Sequence, residues 1–340
     1  ELYSYEAFRR HLHDDERQVP RASLSQFDQN ALESYLLKRR MERPGFSRLS
    51  SADAYEMLNI TRGGEPTLAA VLNFSIYPQA FFPQLCITAV VVPGSEIGCV
   101  DENSARFLDN KRIEGTIKEM LAGALEFCTR NMKVQTVVDP STGARADRTE
   151  YPINAIREAL LNALIHRDYS NFTEGTPIQL DFFQDRLEIH SPGALYGRMT
   201  VDQLGHARPD LRNPTLATMT EALTGAENRY SGIPTIRREL QEAGLPAPVF
   251  ENRRNEFVVT FYSKHTVPAP AERPAEQDQA SNLLTFCQTP RTRKELSEFL
   301  GIKSTFYAIQ HYVLPLVTAG KLAMTLPDTP RSRNQKFYTV

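Results

Sequence analysis

A carboxylate, an amide and a charged cluster follow one another along a predicted helix in the middle of this 340-residue chain. Glu158 and Asn162 lie one helical turn apart, and His166, Arg167 and Asp168 come next. The apolar residues of the same stretch recur at helical spacing on another face: Ile156, Ala159, Leu160, Ala163 and Leu164. A helix with one buried face and a second face of this kind could hold a charged ligand, although a Glu and an Asn four residues apart are also common in helices without such a role.

Length and composition set the class of protein. A chain of 340 residues predicts two or three domains, at roughly 100–200 residues each. Apolar residues make up 41% and charged residues 24%, which is typical of soluble globular proteins. The formal net charge of −2 gives no overall attraction to nucleic acid, so any such binding must come from a local patch.

The cysteines and the apolar runs predict the compartment. Cys86, Cys99, Cys128 and Cys287 form no CxxC pair and have no histidine at metal-binding spacing, which favours reduced thiols over a zinc site. No run reaches the roughly 18 apolar residues of a membrane span, and no signal peptide is visible. We therefore expect a cytoplasmic protein with no membrane partner. The first residue is not Met, so a further N-terminal part of the first domain could be missing.

Changes of composition along the chain predict five parts. Residues 1–60 are charged and helix-prone, and 61–150 read as an α/β module with β-rich runs at "PTLAAVLNF" and "CITAVVVPG". Residues 151–263 are ordered as a helix, two strands, a long loop, a helix and further strands. Residues 264–280 are rich in Pro, Ala and charge without periodicity, which is typical of a linker. Residues 281–340 form a separate small unit.

Four strings in the central region suggest a family. "EALLNALIHRDY", "DRLEIHSPGAL", "RNPTLA" and "SGIPTIRRELQEAGLPAPVFE" resemble bacterial RecG-related ATP-binding proteins. The resemblance implies an α+β multidomain chain. Its parts would be the later part of an Alba-like (Schlafen-type) domain at 61–150, a GHKL (Bergerat-type) ATPase-like α/β sandwich at 151–263, and a C-terminal winged helix at 281–340.

The resemblance gives the helix face a role, because GHKL proteins line their nucleotide site with an E-x-x-x-N motif. By this match Glu158 would orient or deprotonate the attacking water, which makes it the candidate catalytic residue. Asn162 would ligate Mg²⁺ through its neutral side-chain oxygen, together with phosphate oxygens. His166 and Arg167 would complement the phosphate charge. ATP and Mg²⁺ are thus the expected cofactors.

Two departures from the GHKL pattern bear on turnover. Ser191 and Gly193 stand where these ATPases have D-x-G, and a serine oxygen accepts a hydrogen bond from the adenine amino group more weakly than a carboxylate. Ser231 and Gly232 match the later glycine-rich box, but Tyr230 stands where glycine is usual and would crowd a phosphate. These departures predict a nucleotide site that is regulatory or degenerate, with weak ATPase activity at most.

Two other enzyme classes find little support in the sequence. The only Gly-Lys pair, Gly320–Lys321, is followed by Leu322 and lacks the earlier glycine of a P-loop, so a P-loop helicase motor is not encoded. Schlafen-type domains can carry nuclease activity, but 60–135 shows no carboxylate cluster of the kind a nuclease needs.

The C-terminal unit has the layout of a helix-turn-helix followed by a β-wing. Residues 281–340 carry a net charge of +5, which concentrates positive charge on a small part of the chain. The pattern predicts contact with double-stranded DNA through these residues: Lys303, Thr305, Tyr307, Gln310, His311, Arg331, Arg333 and Lys336. A winged-helix module that binds proteins would share the same core pattern.

These observations favour a bacterial transcriptional regulator that binds DNA through its C-terminal unit and carries a regulatory nucleotide site. The alternative is an active Mg²⁺-dependent ATPase that drives a conformational cycle on nucleic acid. The resemblance further implies a homodimer, because GHKL-type and Alba-like modules often work as pairs.

Overall fold

The computed structural model describes residues 13–138, 145–208, 210–225, 231–264, 283–299, 309, 313–318, 320–326 and 335–339. It is a mixed α and β structure, which confirms the predicted α+β class. The chain divides into two compact units, Glu1–Val267 and Pro268–Val340, so the division falls within the predicted linker.

The first unit contains helices and strands in alternating groups. Its helices are α1 (Gln29–Glu42), α2 (Ser51–Met57), α3 (Leu68–Phe74), α4 (Ile117–Asn131), α5 (Ile153–His166), α6 (Pro214–Thr224) and α7 (Gly232–Glu242). Its strands are β1 (Thr61–Arg62), β2 (Glu65–Pro66), β3 (Ile87–Val91), β4 (Asp109–Ile113), β5 (Val134–Val138), β6 (Arg145–Thr149), β7 (Ile178–Phe182), β8 (Arg186–Pro192), β9 (Val249–Arg253) and β10 (Glu256–Tyr262).

A six-stranded sheet forms the centre of this unit, in the order β4-β3-β7-β8-β10-β9. Neighbouring strands are antiparallel except for β3 and β7, which run parallel. The alternate residues Leu187, Ile189 and Ser191 of β8 are buried, as expected for a strand with one face on a core. Helix α4 packs on β3 and β4, and α5 packs on β8.

The sheet crosses the boundary that the sequence predicted at residue 150. Strands β3 and β4 come from 61–150, yet they share the sheet with four strands from 151–263. A single hydrophobic core continues from Val19 to Phe261. The physical reason is the parallel pairing of β3 with β7, which joins the two regions edge to edge. The structure thus describes one body here, where the sequence predicted an Alba-like module followed by a separate sandwich.

One predicted strand is a helix. "PTLAAVLNF" was predicted as a β-rich run, but its residues 68–74 form α3, and all seven are buried. The Thr67 side chain caps this helix by accepting a hydrogen bond from the backbone N–H of Ala70 at 3.2 Å. A short run that is apolar on every side shows no helical periodicity, so the sequence pattern could not distinguish a buried helix from a buried strand.

The second unit has a small core and a three-stranded sheet. Its described elements are β11 (Arg291–Thr292), α8 (Arg293–Phe299), α9 (Leu314–Thr318), β12 (Leu322–Met324) and β13 (Lys336–Thr339), with sheet order β11-β13-β12. The core residues are Leu283, Cys287, Leu296, Ile309, Val313, Leu322 and Phe337. Among the described residues of the whole chain, no helix has both the length and the apolar character that a membrane crossing requires.

Candidate functional site

Helix α5 forms where the periodicity predicts it, between Ile153 and His166. It begins directly after Pro152, an N-cap residue with extended backbone that makes no side-chain capping bond. The residues of its apolar face are buried, whereas Glu158, Asn162 and His166 keep partial exposure along a second side. The two faces predicted from the sequence are therefore both present.

Side chains from three other segments satisfy the backbone carbonyls in the last turn of α5, which have no partner within the helix. The Ser191 hydroxyl donates to the carbonyl oxygen of Ala163 at 3.0 Å, and the Tyr169 hydroxyl donates to that of Leu164 at 2.7 Å. The Asn213 amide donates to the carbonyls of Ile165 and Arg167, each at 2.8 Å. These bonds fix the end of α5 against β8 and against the start of α6.

The other end of the polar face meets the beginning of α7. Gly232 is the first residue of α7, and it lies directly beside Glu158 and Asn162. A Cβ added at Gly232 would be 3.1 Å from the amide nitrogen of Asn162 and 3.2 Å from Oε2 of Glu158. A glycine at this position therefore allows the backbone at the start of a helix to approach the two predicted catalytic and metal-binding side chains.

A cavity of about 170 Å³ follows the polar face of α5. Loop 194–199 and the apolar side chains of Ile233, Ile236, Phe257 and Val259 complete its walls. Among the residues that the sequence assigned to the nucleotide site, six line this cavity: Glu158, Asn162, His166, Ser191, Gly193 and Gly232. Residues that are 74 positions apart in the sequence thus surround one space.

The ionisable groups of the cavity are mostly acidic or neutral. Burial raises the pKa of Glu158 above its ordinary value, and the Arg157 guanidinium, 3.4 Å from its carboxylate, opposes that rise. Burial lowers the pKa of His166 to about 4, and nearby Arg212 contributes in the same direction. His166 is therefore neutral at pH 7 and cannot supply the positive charge that the sequence analysis expected of it.

Arg167 does not reach the cavity, which corrects its predicted role beside a phosphate. Its side chain is buried, with 1% exposure. The guanidinium donates to the carbonyl oxygens of Thr173 at 2.7 Å and Asp168 at 3.3 Å, and it lies over the Tyr169 ring. The first residue after a helix can turn inward, and here Arg167 stabilises the loop that leaves α5.

Ser231 is placed at the N-cap position of α7 and is exposed, and its side chain makes no capping hydrogen bond. It does not line the cavity, although its neighbour Gly232 does. Among the lining residues that the structure describes, Asp210 and Glu221 add acidic groups, and neither Lys nor Arg is present.

A partly buried ion pair beside Gly193 was not predicted from the sequence. Arg212 lies 3.5 Å from the Asp168 carboxylate and donates to the carbonyl oxygen of Ala194 at 2.8 Å. Gly193, at φ +102°, fits against both Asp168 and Arg212. Both residues belong to strings that carry the family resemblance, Asp168 to "HRDY" and Arg212 to "RNPTLA". Their local spacing, however, does not predict that they meet across 44 positions of sequence.

The donor set suits Mg²⁺ bound together with phosphate. Mg²⁺ prefers oxygen ligands and is usually held by one or two protein groups plus substrate phosphates. Asn162 offers one amide oxygen and Glu158 one carboxylate at the same end of the cavity. In the described part of the chain, no cluster of three or more His, Cys, Asp or Glu could hold a metal ion alone. These residues therefore fit Mg²⁺ as a nucleotide complex.

Most of the predicted DNA-contacting residues lie outside the residues that the structure describes: Lys303, Thr305, Tyr307, Gln310, His311, Arg331 and Arg333. The predicted obstruction at Tyr230 lies outside them as well. Lys336 is described, and it is an exposed residue at the beginning of β13. Its backbone N–H donates to the Thr325 hydroxyl at 3.0 Å.

Comparison with known proteins finds two families, one for each unit. Residues 175–261 match the family model described as "Putative ATP-dependent DNA helicase recG C-terminal", so this region is similar to a RecG-related, ATPase-like family. The match includes Ser191, Gly193 and Gly232 and begins after α5. Residues 278–339 match the C-terminal domain of Fic-like proteins, described as "Filamentation induced by cAMP protein". No curated protein matches the sequence.

A solved structure shares the fold. The DIP2311 protein from Corynebacterium diphtheriae is similar with a TM-score of 0.54 and 20% sequence identity. The match covers 94% of this chain but 62% of that one, so this chain spans less than two thirds of the related protein. At this identity the similarity is one of fold.

Proposed function

We propose that this protein is a bacterial transcriptional regulator, whose first unit binds ATP with Mg²⁺ and whose second unit binds double-stranded DNA. The observation that carries the proposal is the meeting of Glu158, Asn162 and Gly232 at one end of a cavity that Ser191 and Gly193 also line. The match of 175–261 to a RecG-related, ATPase-like family supports the same reading.

The start of α7 supports phosphate binding at this end. The first backbone N–H groups of a helix have no partner within it, and the helix dipole favours negative charge there. Gly232 and Ile233 supply such groups beside Asn162, and both line the cavity. When Mg²⁺ is bound it neutralises phosphate charge, which matters here because the described lining residues are acidic or neutral.

The regulatory part of the proposal rests on the second unit. Its described residues pair β12 with β13 in antiparallel orientation, and Leu322 and Phe337 of these strands belong to the core of the unit, an arrangement compatible with a wing. The net charge of +5 over 281–340 favours contact with phosphate. ATP would act on DNA binding only by binding two states of the protein with different affinities. A homodimer belongs to this proposal.

An active ATPase is the second candidate, and one observation favours it. Glu158 lies in the cavity, and burial raises its pKa towards the range of a general base. In that function Glu158 would orient the attacking water and take its proton, while Asn162 holds the metal with the phosphates.

A thermal shift titration tests nucleotide binding. At an ATP concentration of about 100 Kd, binding to the native state adds about 2.7 kcal/mol, or roughly 5–10 °C in Tm for a unit of this size. Asn162→Ala should abolish that rise and leave the apo Tm unchanged, while Asn110→Ala, at an exposed position on β4, should keep it. No rise at millimolar Mg-ATP for the native chain would refute the proposed site.

Phosphate release separates the two candidates. The regulator predicts slow or absent turnover that Glu158→Gln hardly changes, with Glu33→Gln, exposed on α1, as the matched control. Rapid turnover that is lost in Glu158→Gln and kept in Glu33→Gln would establish the ATPase instead.

A further inference from the structure

Strand β4 lies at one end of the six-stranded sheet, and among the described strands it has a partner on one edge only. Its residues, Asp109–Ile113, pair in antiparallel orientation with β3, and the sheet order ends there. The backbone N–H and C=O groups along the outer edge of such a strand can pair with a strand of another chain. The outer edge of β4 is therefore a place at which a second chain can extend the sheet.

The segment that leads into β4 exposes apolar side chains. Fifteen large apolar side chains are exposed among the described residues, and four of them lie between positions 97 and 108: Ile97, Val100, Phe107 and Leu108. Phe107 and Leu108 come directly before β4 and are 40% and 59% exposed. An exposed apolar stretch at an open strand edge favours pairing with another strand.

Two opposite charges of β4 lie on the side of the sheet that α4 covers. The Asp109 carboxylate accepts a hydrogen bond from Arg130 of α4 at 2.7 Å. The Lys111 ammonium lies 3.4 Å from the carboxylate of Glu126, which also belongs to α4. Both side chains keep partial exposure, 29% for Asp109 and 36% for Lys111. They can therefore interact with a second chain at this edge in addition to their partners on α4.

The sequence of β4 matches a second copy of itself in one register. When two copies pair antiparallel about a two-fold axis perpendicular to the sheet, residues directly opposite each other lie on the same side. With Asn110 opposite its own copy, each Asp109 lies opposite the Lys111 of the second copy. In the same register Phe107 lies opposite Ile113. Centring the pairing on Asp109 or on Lys111 instead would place like charges opposite each other, which is unfavourable.

We propose that β4 forms the interface of the homodimer by pairing with β4 of a second copy of this chain, centred on Asn110. The occupant is a second copy because the charges of β4 are complementary to β4 itself. A lysine on an edge strand usually opposes pairing, and here the Asp109 opposite Lys111 compensates for it. The two six-stranded sheets then form one continuous sheet. This inference deepens the homodimer of the proposed function, for which it names the contact surface.

Sedimentation equilibrium of the full chain with reversed charges tests the proposal. Lys111→Glu places acidic groups opposite Asp109, and Asp109→Lys places basic groups opposite Lys111. Each variant alone should therefore dimerise at least about tenfold more weakly than the native chain. An equimolar mixture of the two variants should recover the dimer, because every acidic group then lies opposite a basic one. Lys264→Glu, exposed after β10, is the matched control and should dimerise as the native chain does.

A disulfide at the centre of the interface gives a second test that changes no charge, and it decides the matter if Asp109→Lys fails to fold. Asn110→Cys places two thiols opposite each other, at a Cα separation of about 4.5–5.5 Å that a disulfide can span. Diamide should therefore convert this variant to a covalent dimer. Leu108→Cys should not form one, because its two copies are separated by about four residues along the strands. Both variants carry Cys99→Ala, since the other cysteines are buried.

Separate outcomes overturn the interface and the homodimer. Dimerisation of Lys111→Glu as tight as that of the native chain, or a mixture no tighter than its components, would refute the β4 pairing while the homodimer stands. Equal cross-linking of Asn110→Cys and Leu108→Cys would refute the register. A native chain that sediments as a monomer at tens of micromolar would refute the homodimer and this interface with it, and it would leave the nucleotide site unaffected.

Discussion

Gly193 is the position at which a single methyl group should disturb the candidate site most. Its φ of +102° is a conformation that residues with a Cβ rarely adopt, and this strain costs about 1–3 kcal/mol. An added Cβ would also collide with Arg212 and Asp168 and would lie 3.2 Å from the Asp168 backbone nitrogen. Overpacking of this kind costs about 1–3 kcal/mol more. Gly193→Ala should therefore destabilise the first unit by about 2–6 kcal/mol.

Urea denaturation followed by far-ultraviolet circular dichroism measures this difference, and Gly244→Ala is its matched control. Gly244 also has a positive φ, +68°, but a Cβ there would meet nothing within 4 Å. It should cost about 1 kcal/mol from strain alone. If Gly193→Ala costs no more than Gly244→Ala, the packing of the end of β8 against Asp168 and Arg212 is refuted.

The remaining predictions concern pH, DNA and assembly. Burial raises the pKa of Asp15 to about 6 in the native state, so stability should fall as pH rises from about 4 to 6, by up to about 1.4 kcal/mol per pH unit. Asp15→Asn should flatten this fall of the free energy of unfolding with pH, measured by urea titrations at each pH. If the native chain and Asp15→Asn lose stability in parallel as pH rises, the assignment to Asp15 is refuted. Arg331→Ala with Arg333→Ala should weaken all duplexes alike in gel shifts and reduce the log–log salt slope by about 0.9 per lost contact. An unchanged salt slope would exclude these phosphate contacts. Changing Gln310 should instead alter the preference between DNA sequences, because an amide can pair with a base edge. Light scattering should give a dimer mass, which a monomer mass would contradict.

The sequence predicted the elements that carry the site because their patterns are local. Helix α5 was predicted from apolar spacing at about 152–167, and it extends from Ile153 to His166. The strands predicted around 178–191 were likewise confirmed as β7 and β8. Six of the predicted site residues line one cavity. Three of them share one face of α5, and the other three lie at the end of β8 and at the start of α7.

The sequence could not predict the bonds that hold these elements together, because they join distant parts of the chain. Asp15 accepts a hydrogen bond from the backbone N–H of Leu216 at 2.8 Å, across 201 positions. Asn213 fixes the end of α5 from 46 and 48 positions away. The neutrality of His166 follows from burial, which the sequence alone does not give. DNA contact by the second unit stays a prediction.

The central claim is that the cavity along α5 binds ATP with Mg²⁺, and a calorimetric titration with and without Mg²⁺ tests it most directly. We expect saturable binding with Mg²⁺, a marked loss of affinity when EDTA removes it, and no binding by Asn162→Ala with the apo fold intact. Two results would contradict the claim. One is that millimolar Mg-ATP gives no binding heat and adenosine shows no competition, and the other is that Asn162→Ala binds with the same affinity as the native chain.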